Sequence, residues 1–161
     1  MDDKVICRVM FYSYTMLEDK CECIDKDIYC MAIHSAFKNT MATYQAIERL
    51  TNEKIAYINV KVIIDKGISN LKRNYELVQH HFNGATIDEL AQRLGTSIQA
   101  MTTRVKRQRE KLYEEILKEY KAEELIDILY QSNWLMHRYK RELKRATQIS
   151  PPEGVSDKGL E

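Results

Sequence analysis

The stretch from Ser97 to Leu112, SIQAMTTRVKRQREKL, carries side chains that could read a DNA groove. Its apolar positions recur at helical spacing, which leaves a polar face opposite them. That face carries Gln99, Thr103, Lys106, Arg107 and Glu110. A Gln can pair with adenine, a Thr can meet a thymine methyl group or a phosphate, and Lys or Arg can reach guanine or the backbone. These residue types are therefore suited to base recognition.

Neighbouring side chains are suited to phosphate contact. Arg104 and Arg109 lie on the flanks of the same face, and Thr86 and Arg93 belong to a preceding helix that would cross the DNA backbone. The DNA-binding residues predicted from the sequence are Thr86, Arg93, Ser97, Gln99, Ala100, Thr103, Arg104, Lys106, Arg107 and Arg109.

Two helices joined by a tight turn would position these side chains. In TIDELAQRLG, Thr86 is followed three residues later by Glu89, which is the spacing of a reciprocal capping box, and Gly95 can end the helix. Ser97 can cap the second helix, predicted over residues 97–117. This order of capped helix, tight turn and second helix is typical of a helix-turn-helix. The alternative is an ordinary bundle, in which two amphipathic helices with a solvated basic face give the same sequence pattern.

Apolar residues on both helices predict how the pair attaches to a core. We expect a small residue, Ala91, where the two helices cross closely. The residues expected to join the pair to the core are Leu90, Leu94, Ile98 and Met101. The stripe of the second helix expected to be buried is Met101, Val105, Gln108 and Leu112.

The rest of the chain favours an all-α fold, a multi-helix bundle containing the helix-turn-helix. The only two prolines are Pro151 and Pro152, so no proline interrupts the first 150 positions. Helical spacing predicts a helix from Ile24 to Phe37 and another that begins after Asn39-Thr40. Cap chemistry at Thr51-Asn52 predicts a new long helix from Glu53, in which Gly67 is a weak point. Its β-branched residues leave a strand as an alternative for its middle.

We divide the chain into four parts on this pattern. They are an N-terminal helical segment (1–52), the domain with the helix-turn-helix (53–118), C-terminal helices (119–147) and a disordered tail (148–161). The aromatic stretch FYSYTM, at residues 11–16, is expected to pack on the core rather than stack on single-stranded bases. The C-terminal helices, with Trp134, Leu135 and Tyr139, either form a dimerisation or polymerase-binding surface or fold back to complete the core.

Composition limits the classes of function. The 25 basic and 24 acidic residues give a net charge of +1, so any affinity for nucleic acid must come from local clustering. No Gly-rich phosphate loop, nucleophile elbow or paired-carboxylate motif occurs, and we therefore expect no enzyme, no cofactor and no small-molecule substrate. The acidic start and Arg8 argue against a signal peptide or a membrane span. A cytoplasmic protein with four reduced cysteines is expected.

Two groups of metal-ligating residue types are weak candidates. Residues 21–34 hold Cys21, Cys23, Cys30 and His34, but the usual Cys-x-x-Cys spacing is absent. We expect these cysteines to be small buried hydrophobic residues and predict no metal site. His80 and His81 point to different sides of a helix, so they would contact phosphate or pack within the fold rather than share a metal.

The segment LKRNYELVQHHFNGATIDELAQRLGTSIQAMTTRVKRQREKL resembles the fourth conserved region of the sigma-70 family of bacterial RNA polymerase sigma factors, which reads the −35 promoter element. The likeness covers at most Ile64 to Ile116. Two positions depart from the family pattern, because Thr96 replaces an apolar residue and Gln108 replaces an Ala. The second conserved region is absent, since the only tryptophan is Trp134, downstream of the resemblance.

The resemblance therefore points to small sigma-like transcription regulators of bacteriophages and mobile elements of low-GC bacteria. It implies sequence-specific binding of double-stranded DNA and contact with RNA polymerase; a homodimer is left open. The alternative is a helical interaction module that docks on RNA polymerase or on a phage assembly or packaging partner, with DNA contact secondary. No membrane partner is expected.

Overall fold

Residues 3–34 and 40–149 are described by a computed structural model, and throughout these ranges the protein is an all-α multi-helix bundle. The predicted fold class is confirmed, and the strand alternative for the region after Glu53 is wrong. The helices are Asp3–Ser13 (α1), Leu17–His34 (α2), Thr40–Ser69 (α3), Tyr75–His81 (α4), Ile87–Arg93 (α5), Ile98–Glu119 (α6), Ala122–Tyr130 (α7) and Asn133–Ile149 (α8). A single 3-10 turn, Tyr14–Met16, joins α1 to α2.

Helix α1 is the central element of the core. Its side chains at Ile6 and Met10 are inaccessible to solvent, and α1 packs against α6, α7 and α8. The ring of Phe11 is stacked on His81 of α4, with the centroids 3.8 Å apart. Packing, rather than base stacking, is therefore the role of Phe11, the first aromatic residue of the FYSYTM stretch.

Helices α2 and α3 pack side by side, and α3 is longer than the sequence predicted. The expected break at Thr51-Asn52 is wrong, because α3 continues through it and the Thr51 hydroxyl donates to the Ile47 carbonyl one turn earlier (2.8 Å). A threonine whose hydroxyl bonds to the carbonyl four residues earlier lies within a helix and does not cap one. The boundary drawn between residues 52 and 53 accordingly falls inside a continuous helix. Lys54 and Asp25 form an ion pair that joins α3 to α2 (2.6 Å).

Gly67 lets α3 approach α6 closely. A Cβ atom at this position would lie 2.7 Å from Leu112 Cδ1 and 3.0 Å from Ile116 Cγ1, both of which are buried side chains of α6. The glycine that looked like a weak point in the helix is therefore a packing requirement. This contact fixes the C-terminal half of α6 on the body of the protein.

The C-terminal helices fold back and complete the core. Leu125 and Leu129 of α7 and Leu135 of α8 are inaccessible to solvent, and Tyr139 is 5% exposed. Helix α7 ends at Tyr130 and α8 begins at Asn133, so only Gln131 and Ser132 lie between them. Helix α8 extends through Ile149, into the first two positions of the predicted tail. The rest of that segment, residues 150–161, lies outside the described residues.

None of the helices in the described ranges combines the length and the apolar character needed to span a membrane.

Candidate nucleic-acid interface

Helices α5 and α6 are joined by a tight, well-capped turn. The Thr86 hydroxyl accepts from the Glu89 backbone N–H and the Glu89 carboxylate accepts from the Thr86 N–H, both at 3.1 Å, so the predicted capping box is present. Gly95 has a φ of +62° and the Thr96 N–H donates to the Ala91 carbonyl (3.0 Å), which is a Schellman ending for α5. Ser97 caps α6 by accepting from the Ala100 N–H (3.2 Å).

The predicted buried stripe of α6 is confirmed. Met101 and Leu112 are inaccessible to solvent, Val105 is 6% exposed and Gln108 is 8% exposed. On α5, Leu90 and Ala91 are buried as expected. This stripe fixes the rotation of α6 about its axis and hence the face it turns outward.

Leu94 and Ile98 are not buried, contrary to the prediction. Leu94 is 42% exposed and Ile98 is 56% exposed. Leu94 is the C-cap that follows α5 and Ile98 is the first residue of α6, so both lie at the outer end of the turn. The surfaces where the helices meet begin one turn further in, at Leu90 and Met101.

Gln108 joins α6 to the start of α4. Its side-chain oxygen accepts from the Leu77 N–H (2.9 Å), and its amide nitrogen donates to Glu76 Oε2 (2.6 Å). The hydrogen bond from Gln108 lowers the pKa of the Glu76 carboxyl, and the charges of Arg104 and Arg73 lower it further. Burial raises this pKa, but the net shift is downward. The Gln that departs from the sigma pattern therefore adds a polar attachment to the packing.

The outward face of α6 presents most of the predicted DNA-binding side chains. The exposed members are Arg93, Ser97, Gln99, Thr103, Arg104, Lys106 and Arg107. Ala100 is half-buried, and the exposed Thr86 is engaged in the capping box. The Thr103 hydroxyl donates to the Gln99 carbonyl within the helix (3.0 Å), which leaves its oxygen able to accept.

This face carries positive charge and no carboxylate. The sequence from Ile98 to Arg109 contains four basic residues and no Asp or Glu, and three of the four, Arg104, Lys106 and Arg107, are exposed on this face. A helix with exposed amide, hydroxyl and basic groups on one side and apolar groups on the other can enter a major groove while its buried stripe stays on the body.

Arg109 and Glu110 are turned toward α1 instead. Arg109 donates to the Tyr12 hydroxyl (2.7 Å) and lies over the Tyr12 ring, at 6.0 Å from its centroid. Glu110 pairs with Lys4 (3.1 Å). Sequence reasoning did not reveal these attachments, because Tyr12 and Arg109 are 97 positions apart.

A basic cleft beside α6 contains residues that sequence reasoning missed. It has a volume of about 820 Å³ and lies between the connection at residues 70–74 and one flank of α6. Lys72 and Arg73 from the connection face Arg104, Arg107 and Lys111 from the helix across it. The Lys-Arg pair before α4 was visible in the sequence, but its nearness to α6 depends on tertiary packing.

The two histidines of α4 act within the fold. His80 Nδ1 donates to the Ala85 carbonyl (2.8 Å), and His81 Nε2 donates to the Phe11 carbonyl (2.9 Å). Burial lowers the pKa of His81. The neutral form of the ring, which is stacked on Phe11, is therefore favoured. Packing is the role that their contacts support.

The cysteine-rich part of α2 does not form a cluster. Cys23, Cys30 and His34 are exposed and Cys21 is half-buried, so the expectation of buried cysteines is wrong for Cys23 and Cys30. In the described ranges, no three His, Cys, Asp or Glu side chains come together in a way that could hold a metal ion.

Comparison with known proteins does not assign the chain to a family. No protein-family model, no curated protein and no solved structure matches it. The side chains that α5 and α6 present are therefore the main indication of function.

Proposed function

We propose that this protein is a transcription regulator that binds double-stranded DNA sequence-specifically, with the helix at residues 97–117 in the major groove. The observation that carries the proposal is the outward face of α6, where exposed Gln, Thr, Lys and Arg side chains lie in a stretch without carboxylates. A solvated bundle face has no reason to exclude acidic residues, and a surface facing phosphates does.

The roles follow from the chemistry of each side chain. Gln99 would pair with an adenine edge, and Lys106 or Arg107 would reach guanine or a phosphate. Arg93 on α5 and Arg104 on the flank of α6 would fix the register by contacting phosphates. The capped turn between α5 and α6 holds these groups in one orientation, which reduces the entropy lost on binding.

The type of regulator rests on the resemblance to the fourth region of the sigma-70 family. The departure at Gln108 is accommodated, since Gln108 bonds to α4, whereas the Thr96 hydroxyl is buried in the turn without a partner among the described residues. A sigma-like regulator from a bacterial phage or mobile element would act in the cytoplasm and contact RNA polymerase. The proposal leaves the oligomeric state open between a monomer and a homodimer.

A second candidate is a helical module that docks on RNA polymerase or on a phage assembly or packaging partner. It is favoured by exposed apolar side chains on α2 and α3, namely Tyr29, Ile33, Met41 and Tyr44. Trp134 and Tyr139 are less suited to docking than the sequence suggested, since Tyr139 is buried and Trp134 packs edge-on against Tyr57. In this candidate the α2 and α3 side chains make the main contact.

Two matched Lys-Arg pairs test the main proposal. Bound DNA fragments are first selected from a random duplex pool, and the affinity for the enriched duplex is measured over a salt series. Lys106→Ala with Arg107→Ala removes the pair on the α6 face, and Lys140→Ala with Arg141→Ala removes an exposed pair on α8. We expect the α6 variant to weaken binding at least about tenfold, because one good base contact contributes about 1–3 kcal/mol.

The control variant should keep the sequence preference of the unaltered protein and most of its affinity. The main proposal fails if no fragment is enriched, if affinity does not depend on salt, or if both variants lose the same amount. Binding to polymerase that survives the α6 variant and is lost in Tyr29→Ala with Tyr44→Ala would favour the second candidate.

A further inference from the structure

The basic cleft beside α6 is built from two parts of the chain that the sequence separates. One wall is the connection between α3 and α4, and the other is the flank of α6. The six basic residues that line it are Lys72, Arg73, Arg104, Arg107, Lys111 and Lys118. Three carboxylates, Glu76, Glu114 and Glu115, also line it, which leaves a net charge of +3.

Two of those carboxylates are already engaged. Glu76 accepts a hydrogen bond from Gln108 (2.6 Å), and Glu115 pairs with Lys118 (2.6 Å). Within the ranges that the structure describes, neither Arg73 nor Arg104 forms an ion pair with a carboxylate at 4.0 Å or less. The charges of Arg104 and Arg73 act on the Glu76 carboxyl, but without an ion pair both guanidinium groups can still bind an anion from outside.

The connection that carries Lys72 and Arg73 is anchored at both ends. Leu71 is packed against the core, and its N–H donates to the Ile68 carbonyl (3.1 Å). The Asn74 side-chain amide donates to the same carbonyl (3.1 Å). Because the backbone is held, the two exposed basic side chains project from a defined position, and less order has to be gained when they bind.

The lining of the cleft favours one class of ligand. Sites for small organic molecules have similar volumes but mostly apolar walls, whereas charged side chains dominate here. Guanidinium groups match the geometry of phosphate oxygens, and Lys and Arg contacts to phosphate position a protein on DNA without reading its sequence.

We propose that this cleft binds the phosphodiester backbone of duplex DNA alongside the groove that α6 enters. The inference rests on the proposed function, and it adds a second element, the connection at residues 70–74, to the contact surface. Arg104 and Arg107 belong to both the α6 helix and the cleft, so a phosphate held there would clamp α6 on one side.

A third matched pair of substitutions tests the cleft. Lys72→Gln with Arg73→Gln removes two exposed charges from the connection, and circular dichroism confirms that the variant is folded. The probe is the duplex enriched by the unaltered protein, and a scrambled duplex serves as the nonspecific comparison. The slope of log affinity against log salt should become shallower by about 1 to 2, since each lost phosphate contact changes it by about 0.9.

The loss should be equal for both duplexes, because phosphate contacts carry no sequence information. Ethylation of individual phosphates gives a second readout: a subset that weakens binding of the unaltered protein should no longer do so in the variant. The Lys140→Ala and Arg141→Ala control should keep the full slope and pattern.

An unchanged slope and ethylation pattern in the Lys72→Gln with Arg73→Gln variant would overturn the cleft. The proposed function would stand if Lys106→Ala alone, at a position outside the cleft lining, still weakens binding to the enriched duplex. A shallower slope in the cleft variant, with no effect of Lys106→Ala, would support the cleft and count against the α6 face in the groove. If the unaltered protein does not bind duplex DNA, both proposals are wrong.

Discussion

The two halves of α6 differ in charge and in attachment. Residues 98–109 carry four basic residues and no carboxylate, whereas residues 110–119 carry four glutamates and two lysines. In the second half, Glu110 pairs with Lys4 of α1 and Glu119 pairs with Lys66 of α3. One continuous helix therefore has an end that is tied to other helices by ion pairs and an end where Arg104, Lys106 and Arg107 form no ion pair within the described ranges.

The difference shows how a small domain can hold an outward face in a fixed orientation. Apolar packing runs along both halves, from Met101 to Ile116, but only the C-terminal half also lies against Gly67 and the charged groups of α1 and α3. The N-terminal half is positioned by the capped turn, by the buried side chains of Met101 and Val105, and by the hydrogen bonds of Gln108 to α4. Side chains on a rigid helix are already in position, so no loop has to become ordered when a ligand binds.

The largest effect is expected in the C-terminal half. Leu112→Ala removes a fully buried side chain that packs against Gly67, and the free energy of unfolding should fall by about 2–5 kcal/mol. Thr103→Ala, on the exposed face of the N-terminal half, should change it by less than about 0.5 kcal/mol. Urea denaturation of both variants measures the difference, and equal effects would contradict the division of the helix.

A smaller effect is expected at the junction of the two halves. Gln108→Ala leaves the buried Leu77 N–H without its acceptor and should lower the free energy of unfolding by about 1–3 kcal/mol. Gln99→Ala, an exposed position on the same helix, is the matched control and should be nearly neutral. If Gln108→Ala is as mild as the control in urea denaturation, the attachment of α6 to α4 contributes little.

The smallest effect is a gain at the base of the N-terminal half. The Thr96 hydroxyl is buried and has no hydrogen-bond partner among the described residues. Thr96→Val replaces it with a methyl group of similar size and should raise the free energy of unfolding by about 1 kcal/mol. Thr102→Val, at an exposed site, controls for the change in residue type. Thermal unfolding measures both, and a loss of stability in Thr96→Val would show that the hydroxyl is satisfied.

Local signals in the sequence predicted the turn and the rotation of α6 correctly. The Thr86 and Glu89 capping box, the Gly95 ending and the Ser97 cap each depend on residues within a few positions of one another. The buried stripe followed from helical spacing alone. The all-α class was predictable for the same reason, because helical spacing and the absence of proline from the first 150 positions are properties of the local sequence.

Features that depend on distant contacts could not be predicted. Helix α3 runs through Thr51-Asn52 because cap-forming residues are only a weak preference, which packing against α2 overrides. The exposure of Leu94 and Ile98 depends on where the faces of α5 and α6 begin to meet. The cleft requires the connection at 70–74 to lie beside α6, and nothing in the local sequence of either segment specifies that.

The position of α1 has a consequence for the order in which the protein can fold. Lys4 meets Glu110 across 106 positions, and Arg138 donates to the Tyr12 carbonyl across 126 positions. Helix α1 leaves the ribosome long before α6, α7 and α8, the helices against which it packs. Its packing is therefore incomplete until those helices are made, a state that is slow to resolve and open to aggregation or chaperone binding.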